Sequence, residues 1–337
     1  MALAGYDLVH DFGDAAAEAR ACRTNCALFD FSFLECAQLE GPGARGVIEA
    51  MTGRSLVRLK RGAIAYALCG TPYVGRLAAD WTVWRTGDSS YEIMSGRREN
   101  IADLLDCRDP DVLVEGADLT PQRSVFAVQG PRTLPALSKL GNVKPIEMLK
   151  YFSFCQARLA DIPCTIGRLG YTGELGVEII VARQYAQALW NALSVHVRPA
   201  GFVAADALRI EAGFVLFRNE FRVPVSPADV GLEKFGWPIP SPETALSLVS
   251  FRAEADHLAW PWQSPGDLER PTTPGTIAVT SAAVSSEAGG ILGLGYVLAG
   301  TSSEVVLHDV AGTFRNIRLT PKPFYDTAKR RPRAPWT

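Results

Sequence analysis

The sequence predicts an α+β fold that ends in a small all-β unit, and three observations carry that reading. Strand-like alternating runs and helix-like amphipathic segments are mixed through roughly the first 240 residues. Past Trp237 the composition changes: proline, serine and threonine crowd residues 238–275 and short strands with glycine turns follow, which puts a domain boundary near residue 240. Between these regions lies Gly170-Tyr171-Thr172-Gly173-Glu174-Leu175-Gly176, with three glycines in seven positions. Such a stretch turns tightly or admits a close neighbour. It runs straight into Val177-Glu178-Ile179-Ile180-Val181, an apolar β-branched strand with one acid inside it.

The elements follow in chain order. Residues 14–21 read as a short helix opened by Asp14, whose carboxylate suits a helix N-terminus. Residues 26–40 alternate loosely as strand, Gly41-Pro42-Gly43 breaks the chain, and residues 44–51 form a helix with Val47, Ile48 and Met51 on one face. Residues 63–69 and 79–85 are strands joined by a turn within 70–75; residues 91–94 are a third, followed by a helix over 99–105. A strand at 124–128, the Gln129-Gly130-Pro131 break and a helix reaching Leu140 come next. Tyr151-Phe152-Ser153-Phe154 and the strand before the glycine turn follow a linker. A helix over 183–194 presents Tyr185, Leu189 and Leu193 as a core stripe, and a last helix runs over 206–216, with Gly213 near its end. Within that helix Asp206, Arg209 and Glu211 are spaced for an internal ion pair.

With 337 residues the chain can build two or three domains with sizeable cores. Hydrophobic residues make up 47% and charged residues 21%, an ordinary globular composition. A net charge of −2 gives no electrostatic reason to expect nucleic acid or an anionic membrane. The apolar runs stop short of the roughly 18 residues a membrane span needs, and the N-terminus lacks a secretory pattern. Seven cysteines without a C-x-x-C pair read as free thiols of a reducing cytoplasm, and four scattered histidines suggest no metal site. The basic run Lys329-Arg330-Arg331-Pro332-Arg333 reads as a solvated terminus.

Two acids stand out chemically. Asp80 sits between Ala79 and Trp81 in an apolar strand, where desolvation tunes a carboxyl for acid–base or electrostatic work. Glu178 needs donors in its buried strand, and a flat heterocycle presenting adjacent N–H groups would supply them; the alternative is a hairpin with Glu178 on its solvent face. Tyr66, Trp84, Tyr151 and Tyr171 could wall a cleft for a flat ring or serve as ordinary core. No nucleotide P-loop, H-E-x-x-H or G-x-S-x-G pattern is present.

Taken together, the motifs resemble those of the glycine cleavage T-proteins, the folate-dependent aminomethyltransferases. The stretch from Gly170 to Glu178 resembles their G-Y-T-G-E-x-G-x-E. In the same order, residues 26–32 are similar to G-M-F-D-V-S and Ala127-Val128-Gln129-Gly130-Pro131 to A-x-Q-G-P. Residues 208–213 are similar to L-R-L-E-A-G and residues 226–232 to S-P-x-E-V-G-L, and Lys322-Pro323-Phe324-Tyr325 also fits. The resemblance implies a three-domain cloverleaf around a central folate-binding hole. Residues 1–240 would hold two interleaved α+β domains and 241–337 a small C-terminal β-barrel. It implies tetrahydrofolate as the cofactor, Asp80 as the catalytic acid beside the folate nitrogens and Glu178 as the acid that grips the pterin. Tyr66, Trp84, Tyr151 and Tyr171 would line the hole.

Three departures accompany the resemblance: Ala79 stands where the family has a first acid, Ala205 where it has a folate-contacting arginine, and the D-F-x-G-W-x-M-P segment shrinks to Asp11-Phe12-Gly13-Asp14. They imply a paralogue that kept the folate hole and changed its one-carbon donor. The expected function is transfer of a methyl or methylene-level carbon from a small amine, ether or thioether to tetrahydrofolate. Its partners would be that small-molecule donor and a carrier or oxidase protein. The alternatives are a non-catalytic folate binder of the iron–sulfur assembly branch, whose K-G-C-Y-x-G-Q-E cysteine is missing from residues 214–221, and a protein that has lost folate.

Overall fold

The computed structural model describes residues 2–3, 6–71, 76–97, 99, 101–237, 245–258 and 268–336. The turn expected within 70–75 and the boundary expected near 240 fall largely outside the described residues. Three sheets carry the fold, beside a short N-terminal hairpin.

A six-stranded sheet forms the middle, in the order Phe154–Leu159, Ile162–Gly167, Gly176–Ala182, Arg123–Gln129, Ala27–Asp30 and Arg198–Ala200. All its pairs are antiparallel except the last. The chain leaves this sheet after Asp30, builds an antiparallel five-stranded sheet from strands between Glu35 and Asp118, and returns at Arg123 to pair with the strand it left. The run expected as one strand over 26–40 is therefore two, Ala27–Asp30 and Glu35–Glu40. Between them Asp30 accepts from Ser32 N at 2.9 Å, a side-chain turn that alternation alone does not reveal.

The helix expected from Asp14 runs over Ala15–Thr24, with Asp14 as its N-cap accepting from Ala17 N. The last large helix is Phe202–Glu211, beginning four residues before Asp206 because Gly201 ends the preceding strand, and stopping short of the expected 216 because Gly213 turns the chain with φ +66°. Helix Ala186–Ser194 buries Leu189 and Leu193 against the middle sheet. Tyr185, expected in the same stripe, is 39% exposed, since the chain there is a tight 3₁₀ turn and the α-helical spacing starts only at Ala186.

The third sheet, five strands between Leu246 and Thr320, curls round into a small barrel-like unit. Its edges meet where Leu307 bridges to Ile317, around a core of Phe251, Ile277, Val297 and Phe314. Helix Phe202–Glu211 packs between the middle sheet and this barrel-like unit, with Ala204, Ala205 and Leu208 toward the former and Ala207 and Ile210 toward the latter. No helix of the described residues is long and apolar enough to cross a membrane.

Candidate active site

The glycine turn owes its shape to one side chain from the next strand. Gln129, wholly buried, donates from Nε2 to the carbonyls of Leu169 and Val177, both at 3.1 Å, and accepts from Thr172 Oγ1 at 3.1 Å. A Cβ at Gly170 would lie 1.9 Å from Gln129 Oε1, and one at Gly176 2.6 Å from its amide, so both positions must be bare. Gly173 turns with φ +77° beneath Ala212. The Gln129-Gly130-Pro131 break and the glycine turn are thus one device, and it holds Tyr171 and Glu178 in place.

Strand Arg76–Arg85 presents its two faces to different environments. Ala79, Trp81 and Val83 point into the core of their own sheet, while Asp80, Thr82 and Trp84 point the other way, toward the middle sheet and helix Phe202–Glu211. Tyr66 stands on the neighbouring strand opposite Thr82 and donates its hydroxyl to Asp80 Oδ2 at 3.2 Å. Burial pushes the Asp80 carboxyl up to about 6, against the pull of the Tyr66 hydroxyl, and the Glu220 charge adds to the rise. Phe235 meets the Tyr66 ring edge-on at 5.4 Å. Tyr171 donates to the Val215 carbonyl at 2.6 Å, stacks on Phe214 at 6.0 Å and shares the electrostatic neighbourhood of Asp80.

The remaining three candidates form a second group along the same face. Trp84 is only 1% exposed, held by Thr82 Oγ1 at 3.0 Å and by Phe154 at 5.2 Å. Its indole lies on the backbone of Gly167, where a Cβ would come within 2.2 Å, and Gly167 is the ladder partner of Glu178. Glu178 is 7% exposed, which excludes the solvent-face hairpin, and among the described residues its carboxylate has no hydrogen-bond partner. Burial alone pushes it up to about 7. Burial raises the Tyr151 phenol, and the nearby Glu178 charge adds to the rise. Trp84 belongs to the core cluster against which Tyr171 packs, which joins the two groups.

Two of the departures lie in different cores. Ala79 faces the opposite core, and Ala205 is a fully buried methyl within the cluster that holds Trp84. Phe214, Phe235 and Glu220 are not signalled by the sequence, since each joins the site from a segment without periodic pattern, whereas the pairing of Arg209 with Asp206 is the one its helical spacing expects. Arg209, fully buried, meets Asp206 at 2.8 Å and Glu220 at 3.0 Å. Glu211, expected in the Arg209 pair, bonds Arg23 at 2.5 Å instead, because its position on the helix turns it toward Arg23 and Glu174. A separate cavity of about 430 Å³, walled by Phe12, Phe29, Phe126 and Trp190, holds none of the six candidates.

Glu178 makes stability pH-dependent with a definite sign. Its proton is lost near 4.5 in the unfolded chain and near 7 in the folded one, so the folded state holds more protons between those values. Stability then falls as pH rises through that window. Glu178→Gln is expected to match the wild type near the lower limit and to exceed it by up to roughly 3 kcal/mol at about pH 8. Urea unfolding of both proteins at the two pH values measures this, and a difference that does not change with pH would refute it.

The fold is of the mixed α+β class, with Asp80 and Glu178 placed beside a set of aromatic side chains. The chain belongs to the GCVT N-terminal domain family, whose model matches residues 1–236. It is 35% identical over 242 residues to an aminomethyltransferase of Paraburkholderia phymatum, a match covering 68% of this chain and 63% of that protein. It is 29% identical over 242 residues to an aminomethyltransferase of Halothermothrix orenii, covering 70% and 66%. A trimethylamine-oxide aldolase of Ruegeria pomeroyi is 32% identical over 234 residues, covering 64% of this chain and 29% of that protein. The matches to the two aminomethyltransferases thus span a little under two thirds of their length. The crystal structure of the glycine cleavage system aminomethyltransferase T from Bartonella henselae has the same fold, with a TM-score of 0.76 at 21% identity over 97% of this chain and 94% of that one.

Proposed function

We propose that this protein is a tetrahydrofolate-dependent one-carbon transferase that takes a methyl or methylene-level carbon from a small amine, ether or thioether. The observation that carries the reading is Glu178, a carboxylate nine-tenths buried with no protein donor among the described residues. A buried polar group without a partner costs about 1–3 kcal/mol or more if charged, and the amino-pyrimidine edge of a reduced pterin offers the paired N–H groups it lacks. Tyr171 and Tyr151 supply flat apolar surface beside it, which excludes water from the ligand, with the buried Trp84 in the core cluster against which Tyr171 packs. Bound tetrahydrofolate would supply the nucleophilic nitrogens that accept the carbon. Asp80, oriented by Tyr66, stabilises positive charge at the reacting nitrogens and can hold or release a proton near neutrality.

The name of the Ruegeria pomeroyi relative refers to an N-methylated compound, so methylated amines are the first donors to screen. A carrier or oxidase protein that delivers the carbon is part of the same reading. Tetrahydrofolate is expected to raise the melting temperature, because a ligand that prefers the native state stabilises it by mass action. Glu178→Ala should weaken its binding by roughly 2–5 kcal/mol, the cost of truncating one partner of a buried charge-assisted pair. No thermal shift at saturating tetrahydrofolate would remove the proposal.

A further inference from the structure

The cavity of about 430 Å³ that holds none of the six candidates is walled by a segment the fold braces from several sides. Residues 8–12 lie across the start of helix Phe202–Glu211: Phe202 N donates to the Val9 carbonyl and Val203 N to the His10 carbonyl, both at 3.0 Å. Glu18, wholly buried, accepts from Phe12 N at 2.6 Å and from Gly201 N at 2.8 Å. A Cβ at Gly201 would lie 2.1 Å from the His10 carbonyl oxygen, so only a bare residue lets the two backbones come this close. These contacts fix the backbone of Phe12 and leave its ring 47% exposed, stacked on Trp190 at 6.2 Å. Trp190 in turn meets Phe126 edge-on at 5.3 Å. A braced backbone that keeps an apolar ring in water suits a preformed ligand wall, and the volume falls in the range of small-molecule sites.

The charged residues of the lining are Asp7, Asp30 and Arg183. Among the described residues neither acid has an ion-pair partner, and Asp30 accepts only from Ser32 N, at 2.9 Å. Arg183 donates from Nε to the Pro121 carbonyl at 2.9 Å and from Nη2 to the Thr120 carbonyl at 3.0 Å, which ties its fork to the Thr120–Gln122 turn. The N–H groups of Gly201, Phe202 and Val203, where a helix start attracts anions, are already taken. What the lining offers a ligand is therefore aromatic surface with one negative charge in excess. Such a wall selects a cation without N–H groups. A primary ammonium brings three donors that rings do not satisfy, whereas a methylated ammonium carries its charge under an apolar surface, which ring faces attract most strongly when water is excluded.

We propose that this cavity is a second ligand site that takes a methylated ammonium compound, with Phe12 and Trp190 against its methyl groups and Asp7 and Asp30 as its counter-charge. The site shares no residue with the six assigned to folate, and the inference does not rest on the folate reading. Bound ligand covers the Phe12 ring, so the apolar surface that the braced segment leaves in water is removed from it.

The test compares choline with its neutral isostere, the alcohol in which a tert-butyl group replaces the trimethylammonium group, so that charge is lost and shape is kept. Both are titrated into the full chain by calorimetry at constant ionic strength, because exposed carboxylates are screened by salt. The wild type should bind choline about tenfold more tightly than the neutral alcohol, the scale of a partly desolvated cation–ring contact. Ethanolamine, which has the charge without the methyl groups, should bind more weakly than choline. Phe12→Leu keeps an apolar side chain on the same backbone, and Asp30→Asn still accepts from Ser32 N. Each should cut the preference for choline to about threefold or less, with an unchanged denaturant midpoint to report an intact fold. A wild type that binds neither compound, or both equally, overturns the proposal, as does a preference that both variants keep. No folate enters these titrations, so their failure leaves the folate reading as it stands.

Discussion

Replacing Arg209 by methionine is expected to cost about 3–5 kcal/mol of folding stability, the loss seen when one partner of a buried ion pair is removed and the other stays behind. Arg209 and Glu220 are both fully buried, and Asp206 nearly so. The guanidinium uses its whole fork: Nε donates to Asp206 at 2.8 Å, Nη1 to Glu220 at 3.0 Å and to the Phe214 carbonyl at 3.1 Å, and Nη2 to Ser281 at 2.6 Å. Methionine fills much of the volume but leaves Glu220 held by Ser281 at 2.5 Å, Thr280 at 2.8 Å and Leu216 N at 2.6 Å. Adding Glu220→Gln should return part of the loss, since the uncompensated charge is then gone. Denaturant unfolding of the two variants measures this, and no rescue in the double variant would show that packing, not charge, governs the site. The same substitution reaches the candidate site, because the Glu220 charge already raises Asp80. Without Arg209 the Asp80 carboxyl should titrate still higher, which a pH titration of the variant would detect.

How much of this arrangement can be read from the chain depends on how local its causes are. Helix Ala15–Thr24 and strand Gly176–Ala182 are legible because an N-cap acid and a β-branched run act within a few residues. The burial of Glu178 follows from the apolar strand around it. Asp80 is legible for the same reason, and strict alternation puts Ala79 and Asp80 on opposite faces, so the missing first acid falls outside the site. What is not legible joins residues far apart in sequence. Arg23 meets Glu174 and Glu211 across 151 and 188 positions, and Tyr325 reaches Glu174 across 151. The basic run has the composition of a solvated tail. It lies on the site only because Tyr325 and Trp336 find the Arg23 and Arg168 guanidinium groups, a pairing no spacing rule encodes.

Asp80→Asn is expected to keep the site's shape and most of its affinity for tetrahydrofolate while single-turnover transfer falls about 10²–10³-fold, the scale for losing one preorganised electrostatic group. The amide still offers an oxygen to Tyr66, so the 3.2 Å bond that orients the side chain can persist. What disappears is the negative charge, and with it the capacity to stabilise cationic character at the reacting nitrogens. The pH profile supplies an independent readout. Burial brings Asp80 to about 6, so transfer by the wild type should decline below that value as the carboxylate is neutralised. The variant, having nothing to titrate there, should lose that limb. Folate affinity and single-turnover transfer measured side by side separate the two readings of the protein. A transferase shows a large rate loss with little change in affinity, and a passive folate binder has no turnover to lose. Equal transfer rates in the two proteins, with the acid limb retained by the variant, would make Asp80 a buried polar residue satisfied by Tyr66 and would move the search for the catalytic group elsewhere in the candidate site.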